Sequence, residues 1–466
     1  MAFRHALNTS YTGNHAKTDT RGKHTPPNKT ETDRIRYAKK FIDSVPAVPS
    51  HYCRKNVKKL YLPSDIGNIT NSYRLYKLNC TKNDRIPISG RVFRNVFSQF
   101  NLGFHVPKKD KCEKCTRVSD LGEENIKRAE MATYRQHRLE VSKCAEIFER
   151  DQNIFCLDDS SGVRSLCTSF DLQKVLSTPH GDNMLLGFSR KVSVYNFTVY
   201  ECKTQDGFCF LWNETEGKKG ANEICSALFR YLKDLNARGI QNLIMYCDNC
   251  TGQNKNQYLI FMIHHFLLKA KFLKRIRLNF LIVGHTYMPV DSIHATIENF
   301  VRKKVIHAPS QWPTTISLSR KSELPYHTTS LTFVDFQDWS ETEKSYKITC
   351  VKNKKQNLNI SKVSSVVFTK NQPISVYYGY ENPTSESFLI ELKLSSIPFQ
   401  PKQAYSERLP ISIAKRKDLM KLVPKKIIIP EAYAPEYEEM PYGKNVIDTP
   451  PETDEEDVDE PESSNL

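Results

Sequence analysis

Leu243-Ile244-Met245-Tyr246-Cys247-Asp248-Asn249-Cys250-Thr251-Gly252-Gln253-Asn254-Lys255-Asn256 is the stretch on which the fold turns. A mostly apolar run leads into an aspartate, then a short polar turn with glycine, then amides and a lysine. A buried strand that delivers one carboxylate at its C-terminal end, followed by a helix, is a common way to build a metal or phosphate site. Helix capping competes for the same residues, because Asp248 or Asn249 also suits the cap of a helix starting near Asn256.

Working outward, strand and helix patterns alternate. Val163 to Asp171 reads as a strand, Ser193 to Lys203 alternates with a period of two, and Gly207 to Glu214 follows as its hairpin partner. Glu223 to Arg238 is an amphipathic helix, with Ile224, Leu228, Tyr231, Leu232 and Leu235 on one face. Gln257 to Lys269 reads as an apolar helix, Arg277 to Val283 as another strand, and Pro289 opens one more helix. Strand, hairpin, helix, strand, helix, strand, helix predicts a mixed sheet with helices on both faces, an α/β core over residues 161–312.

In such a sheet the first and fourth strands lie side by side, so Asp171 and Asp248 come together at their ends. The last helix carries Asp291, His294 and Glu298. At ~100° per residue these three side chains fall within about 60° of one another. Strand-end aspartates beside such a stripe can hold two divalent ions about 4 Å apart, which activate a water or hydroxyl at a phosphodiester. Hard oxygen donors suit Mg²⁺ or Mn²⁺. Either Asp291 or Glu298 can serve as the third acid. Lys255 and His285 are candidates for approaching a phosphate, and Gln253 and Asn254 for lining the substrate path.

Upstream, residues 34–118 read as helical and basic. Helices are expected from about Ile66 to Asn79 and from Ser89 to Phe100, the second offering Arg91, Arg94 and Asn95 off its apolar face. Two short helices of this kind outline a helix-turn-helix for DNA. Cys112 and Cys115 form a Cys-x-x-Cys pair among lysines, able to place two thiolates on one tetrahedral ion. A structural Zn²⁺ needs two more ligands, for which His51 and Cys53, or His137, are candidates. Residues 119–160 are expected to hold a long, solvated connecting helix. Beyond the core, 313–400 carry short β-like runs, read as a small β-rich module, and 401–466 hold a proline-rich segment with a basic helix near Ile413 to Leu422. Residues 1–33 and the acidic tail are too polar to support a core.

The chain has 466 residues, 39% hydrophobic and 11% aromatic, enough for two or three domains. Its net charge is +16 although Glu452 to Leu466 hold eight acids and no base, so the remainder is near +24. That balance favours a polyanion such as DNA as partner. No apolar run reaches the ~18 residues that span a membrane, so no membrane association is expected. The first residues lack a signal-peptide h-region. Thirteen scattered cysteines read as reduced thiols of the cytosol or nucleus, and Lys415-Arg416-Lys417 is compatible with nuclear import. A second copy of the chain is a further candidate partner.

The strand order and strand-end acids resemble the RNase H-like fold of transposases and integrases with an acidic triad. More closely, SHYCRKN (50–56), FNLGFHVPKKDKCEKC (100–115), YCDNCTGQNKNQ (246–257) and GHTYMPVDSIHATIE (284–298) resemble a large family of uncharacterised, transposon-like proteins multiplied in animal genomes. The likeness covers roughly residues 35–440. It implies a transposase origin, with Asp171, Asp248 and either Asp291 or Glu298 as the triad. It also implies metal-dependent cleavage or joining of DNA in the nucleus, or a domesticated copy that binds DNA without catalysis.

Overall fold

The structure, a computed structural model, describes residues 30–49, 60–62, 66, 68–100, 102–104, 112–122, 126–153, 162–181, 184–187, 189–322, 324–340, 346–350, 359–379, 387–394, 400–423, 428–444, 446 and 448. The expectations for the N-terminal tail before residue 30, for His51 and Cys53, and for the acidic tail lie outside these residues. Two compact units divide the chain, Met1–Lys108 and Lys109–Leu466.

The first unit contains α1 (Thr32–Ser44), β1 (Val48–Pro49), β2 (Leu60–Leu62), α2 (Ile69–Lys82), α3 (Gly90–Phe97) and β3 (Leu102–Phe104), the three strands forming one small sheet. Asn68 and Ser89 start α2 and α3 by accepting hydrogen bonds from the amides of Asn71 at 2.9 Å and Val92 at 3.4 Å. The apolar face of α3, with Phe93, Val96 and Phe97, packs with Tyr76 of α2 and with Ala38 and Ile42 of α1. Arg91, Arg94 and Asn95 stay exposed, as their spacing predicts.

The second unit opens with α4 (Glu113–Leu121) and α5 (Arg128–Asn153). Gly122, at φ 76°, ends α4, so one long helix over 119–152 is replaced by two. Nor is α5 solvated on all sides. His137, Val141, Cys144, Phe148 and Asp151 recur at spacings of three and four and are buried. Cys144 and Phe148 pack against Cys167, Tyr246, Leu281, Met288 and Val290. The abundant charges hid this stripe because they occupy the other faces.

The central elements follow as β4 (Ser165–Leu172), β5 (Leu176–Thr178), α6 (Met184–Gly187), β6 (Val192–Glu201), β7 (Gly207–Asn213), α7 (Ala221–Ala237), β8 (Asn242–Cys247), α8 (Gln257–Lys269), β9 (Arg275–Phe280), α9 (Val290–Val301), α10 (Trp312–Ser317) and β10 (His327–Ser330). Later strands are β11 (Gln337–Asp338), β12 (Tyr346–Cys350), β13 (Ser365–Thr369), β14 (Ile374–Tyr377) and β15 (Ser387–Leu394). The main sheet runs β10-β7-β6-β4-β8-β9-β13-β14-β15-β12, with β5 paired to β6. In it β6 is antiparallel to both β4 and β7, whereas β4, β8 and β9 are mutually parallel. The mixed α/β sheet flanked by helices is therefore present. The runs expected as a separate module over 313–400 instead lengthen this sheet, β13 pairing antiparallel with β9 and β10 parallel with β7.

Strand alternation sorts the two faces. Leu166, Phe170, Leu243, Met245 and Cys247 meet the apolar faces of α7 and α8 in the largest core. Their neighbours Cys167, Ile244 and Tyr246 turn to the opposite face, which carries α5. A second cluster, with Ile293 and Ile297, seats α9 against Val194, Cys209 and Leu211. At the end of α5 the buried Asp151 accepts a hydrogen bond from the Tyr246 hydroxyl at 2.5 Å and pairs with Arg277. Farther along, Ile413–Leu422 is helical as its pattern predicts, and its Lys415 pairs with Glu214 at 2.8 Å.

Candidate metal centres

The parallel register of β4 and β8 sets Ser169 opposite Tyr246. Asp171 stands two residues beyond Ser169 in β4, and Asp248 directly follows β8, close enough for its charge to act on the Asp171 carboxyl. The turn after β8 fixes the second acid: one carboxylate oxygen of Asp248 accepts from Asn254 Nδ2 at 2.5 Å and from the Cys250 amide at 3.3 Å. Asn254 is buried for this task. Asn256, rather than Asp248 or Asn249, caps α8, accepting from the Leu259 amide at 3.1 Å.

The third side chain comes from the start of α9. Its Val290 amide donates to Ser169 Oγ at 3.3 Å, which ties the helix to β4, and Asp291 accepts from the Met288 amide at 2.8 Å. One donor atom each from Asp171, Asp291 and His294 lie within 4.8 Å of one another. Burial, then the charges of Asp248 and of Asp291, hold the Asp171 carboxyl well above the usual range, with Lys219 opposing. These carboxylates therefore repel one another strongly. His294 is 9% exposed, and burial pushes its imidazole down to about 4. It is neutral near pH 7, and its buried Nε2 has no hydrogen-bond partner. A neutral ring nitrogen among acidic oxygens suits a divalent cation.

A second cluster gathers Cys112, Cys115, His137 and His285, whose donor atoms all lie within 4.8 Å of one another. His137 Nε2 stands 3.2 Å from Cys112 Sγ, 3.5 Å from Cys115 Sγ and 3.2 Å from His285 Nε2, and Cys115 Sγ is 3.5 Å from His285 Nε2. Cys112 stands at the N-cap position of α4, without a side-chain capping bond, and Cys115 lies in its first turn, so one helix start supplies both sulfurs. Burial, then Lys114, lowers His137, which keeps the imidazole neutral. Burial, then Cys112, raises Cys115, so without a cation the thiol holds its proton.

Glu298 does not join Asp291 and His294. It is exposed, seven positions beyond Asp291. At 1.5 Å rise per residue that is about 10 Å along the axis, so a shared angular stripe does not make a shared site. His285 sits in the Cys/His cluster instead of approaching a phosphate. Lys255 is 4% exposed, donates to the Ser361 carbonyl at 2.7 Å and lies over the Phe280 ring, with burial lowering it to about 8. It braces the turn. Gln253 also serves the turn, its carbonyl accepting from Asn256 Nδ2 at 3.0 Å. Arg91 and Arg94 belong to the first unit. Lys219, whose charge reaches Asp171, carried no signal in the sequence beyond a basic, glycine-flanked loop.

A family model described as a domain of unknown function (DUF7869) matches residues 191–372, from β6 through β13. No curated protein and no solved structure matches the chain. Among the described residues, no helix is long and apolar enough to cross a membrane.

Proposed function

We propose that this chain is a transposase-derived, RNase H-like protein that cleaves or joins DNA phosphodiesters with the help of Mg²⁺ or Mn²⁺, acting in the nucleus. The observation that carries the reading is the meeting of Asp171, Asp291 and a neutral, buried His294 with Asp248 alongside. Two further features agree with it. The strand order β7-β6-β4-β8-β9, antiparallel only at β6, is the order an RNase H-like sheet has. The net charge of +16 favours DNA as the polyanion.

The donor set fits a hard divalent cation: clustered carboxylates whose repulsion a cation relieves, and an imidazole nitrogen with its lone pair available. Such ions supply activation of the attacking oxygen and stabilisation of the departing one. Around them, Asn254 and the Cys250 amide hold the Asp248 carboxylate in one orientation. Ser169 anchors the helix that presents Asp291 and His294. Lys219 offers positive charge near Asp171, where a phosphate would dock.

The test is nicking of supercoiled plasmid and of labelled duplex by the purified chain, with and without Mn²⁺. Metal-dependent cleavage that disappears in Asp248→Asn, with an unchanged circular dichroism spectrum, is expected. Full activity in that variant removes Asp248 from the mechanism. Salt-dependent DNA binding with no cleavage under any metal supports a domesticated, non-catalytic DNA-binding protein instead.

A further inference from the structure

We propose that Cys112, Cys115, His137 and His285 bind one structural Zn²⁺, and that this ion fixes the segment from which the acidic site receives Asp291 and His294. The donors come from α4, from α5 and from the turn between β9 and α9, with Cys115 and His285 separated by 170 positions. For Zn–S near 2.3 Å and Zn–N near 2.0–2.1 Å, tetrahedral donors stand roughly 3.3–3.8 Å from one another. Four of the six separations are 3.2 to 3.5 Å, close to that tetrahedron though slightly compressed, and all six are within 4.8 Å. Hydrogen bonds satisfy such donors only in pairs, whereas a central cation satisfies all four. Two soft sulfurs and two imidazoles favour zinc over Mg²⁺ or Mn²⁺.

The backbone around the cluster has no room for a looser arrangement. A Cβ on Gly284 would stand 2.4 Å from the Cys112 amide nitrogen and 2.5 Å from its Cα, and Gly284 has φ +72°. The turn that bears His285 is thus pressed against the start of α4, and its left-handed conformation with that contact favours glycine. His285 folds back through its amide to the Ile282 carbonyl at 2.8 Å. Asp291 follows His285 by six positions, and Leu281, Met288 and Val290 pack against Cys144 and Phe148 of α5. Closing the tetrahedron therefore locks the turn that aims α9 at the strand ends. Zinc binding stands apart from the DNA-cleaving reading, and only the positioning of Asp291 rests on it.

The experiment is elemental analysis of the purified full chain, followed by replacement of its metal with Co²⁺. The expected result is one zinc per chain and a cobalt spectrum with tetrahedral ligand-field bands and a thiolate charge-transfer band. His285→Cys should retain the metal with a stronger charge-transfer band, and Cys115→Ser should lose it. A chain that retains no zinc when folded in its presence, an octahedral cobalt spectrum, or iron in place of zinc overturns the assignment. The positioning role is read separately, as weaker Mn²⁺ binding at the acidic site in zinc-stripped protein. Unchanged Mn²⁺ affinity there overturns that role and leaves the zinc assignment standing.

Discussion

The two clusters share a short segment of chain and differ in almost everything else. His285 belongs to one, Asp291 and His294 to the other, yet the first is built of thiols and imidazoles and the second mainly of carboxylates. Burial raises the Cys115 thiol and lowers the His137 imidazole, so both are neutral when no cation is near and cost the fold little. The acidic cluster is different, because burial and the neighbouring charges penalise the Asp171 carboxylate. A closed set of four sulfur and nitrogen donors suits a structural zinc, whereas carboxylates suit hard cations such as Mg²⁺ or Mn²⁺. One turn between β9 and α9 thus leads from the Cys/His cluster at one end to the acidic cluster at the other.

The contrast is sharpest at Asp248. Its replacement by Asn is expected to lower metal-dependent cleavage about 10³-fold, equivalent to roughly 4 kcal/mol, with the melting temperature nearly unchanged. A variant that is equally active, or that simply unfolds, breaks the division of labour. Gly284→Ala probes the other side. The left-handed backbone alone costs about 1–3 kcal/mol, and the contact with Cys112 adds to it, so lower stability and poorer zinc retention are expected. Calorimetry with metal analysis checks both, and a wild-type melting curve would contradict the close packing.

A smaller effect concerns pH. The Asp171 carboxyl is raised in the folded chain, so its stabilising contribution is present below the ordinary aspartate value near ~3.9 and is lost as pH rises through the raised one. Without divalent metal, melting temperature should therefore fall with rising pH more in wild type than in Asp171→Asn, while Mn²⁺ binding to wild type strengthens over the same range. Parallel melting curves across pH for the two proteins would sink this. The smallest effect is expected for Glu298→Gln, which should stay within about twofold of wild type. A large loss there would return Glu298 to the candidate acids.

How much of this the sequence disclosed depended on the range over which each feature is encoded. Asp248 was legible because its strand, turn and helix are contiguous, and Asp171 because β4 has a clear pattern. Angular spacing brought Asp291 and His294 together but could not separate them from Glu298, since the deciding quantity was rise along the axis. The Cys-x-x-Cys pair announced two ligands. Of its remaining partners, His137 was among the candidates, although the charges of its helix masked the buried stripe to which it belongs. His285, 170 positions from Cys115, was read as a phosphate contact instead. Lys255 misled for a related reason. A lysine beside a strand-end acid suggests a phosphate contact, but tertiary packing folded it inward to Ser361.

The lengthened sheet carries one more implication. Strands at a sheet's margin expose unpaired amides and carbonyls that recruit other chains. Here β10 covers β7 and β13 covers β9, so the five strands around the acidic cluster have no open margin of their own. Among the described residues, the ends of the strand path are β10 and β12, three and six strands from β4, and there a second chain could add by backbone pairing. Self-association at those margins would consequently extend the assembly sideways and leave the strand ends uncovered.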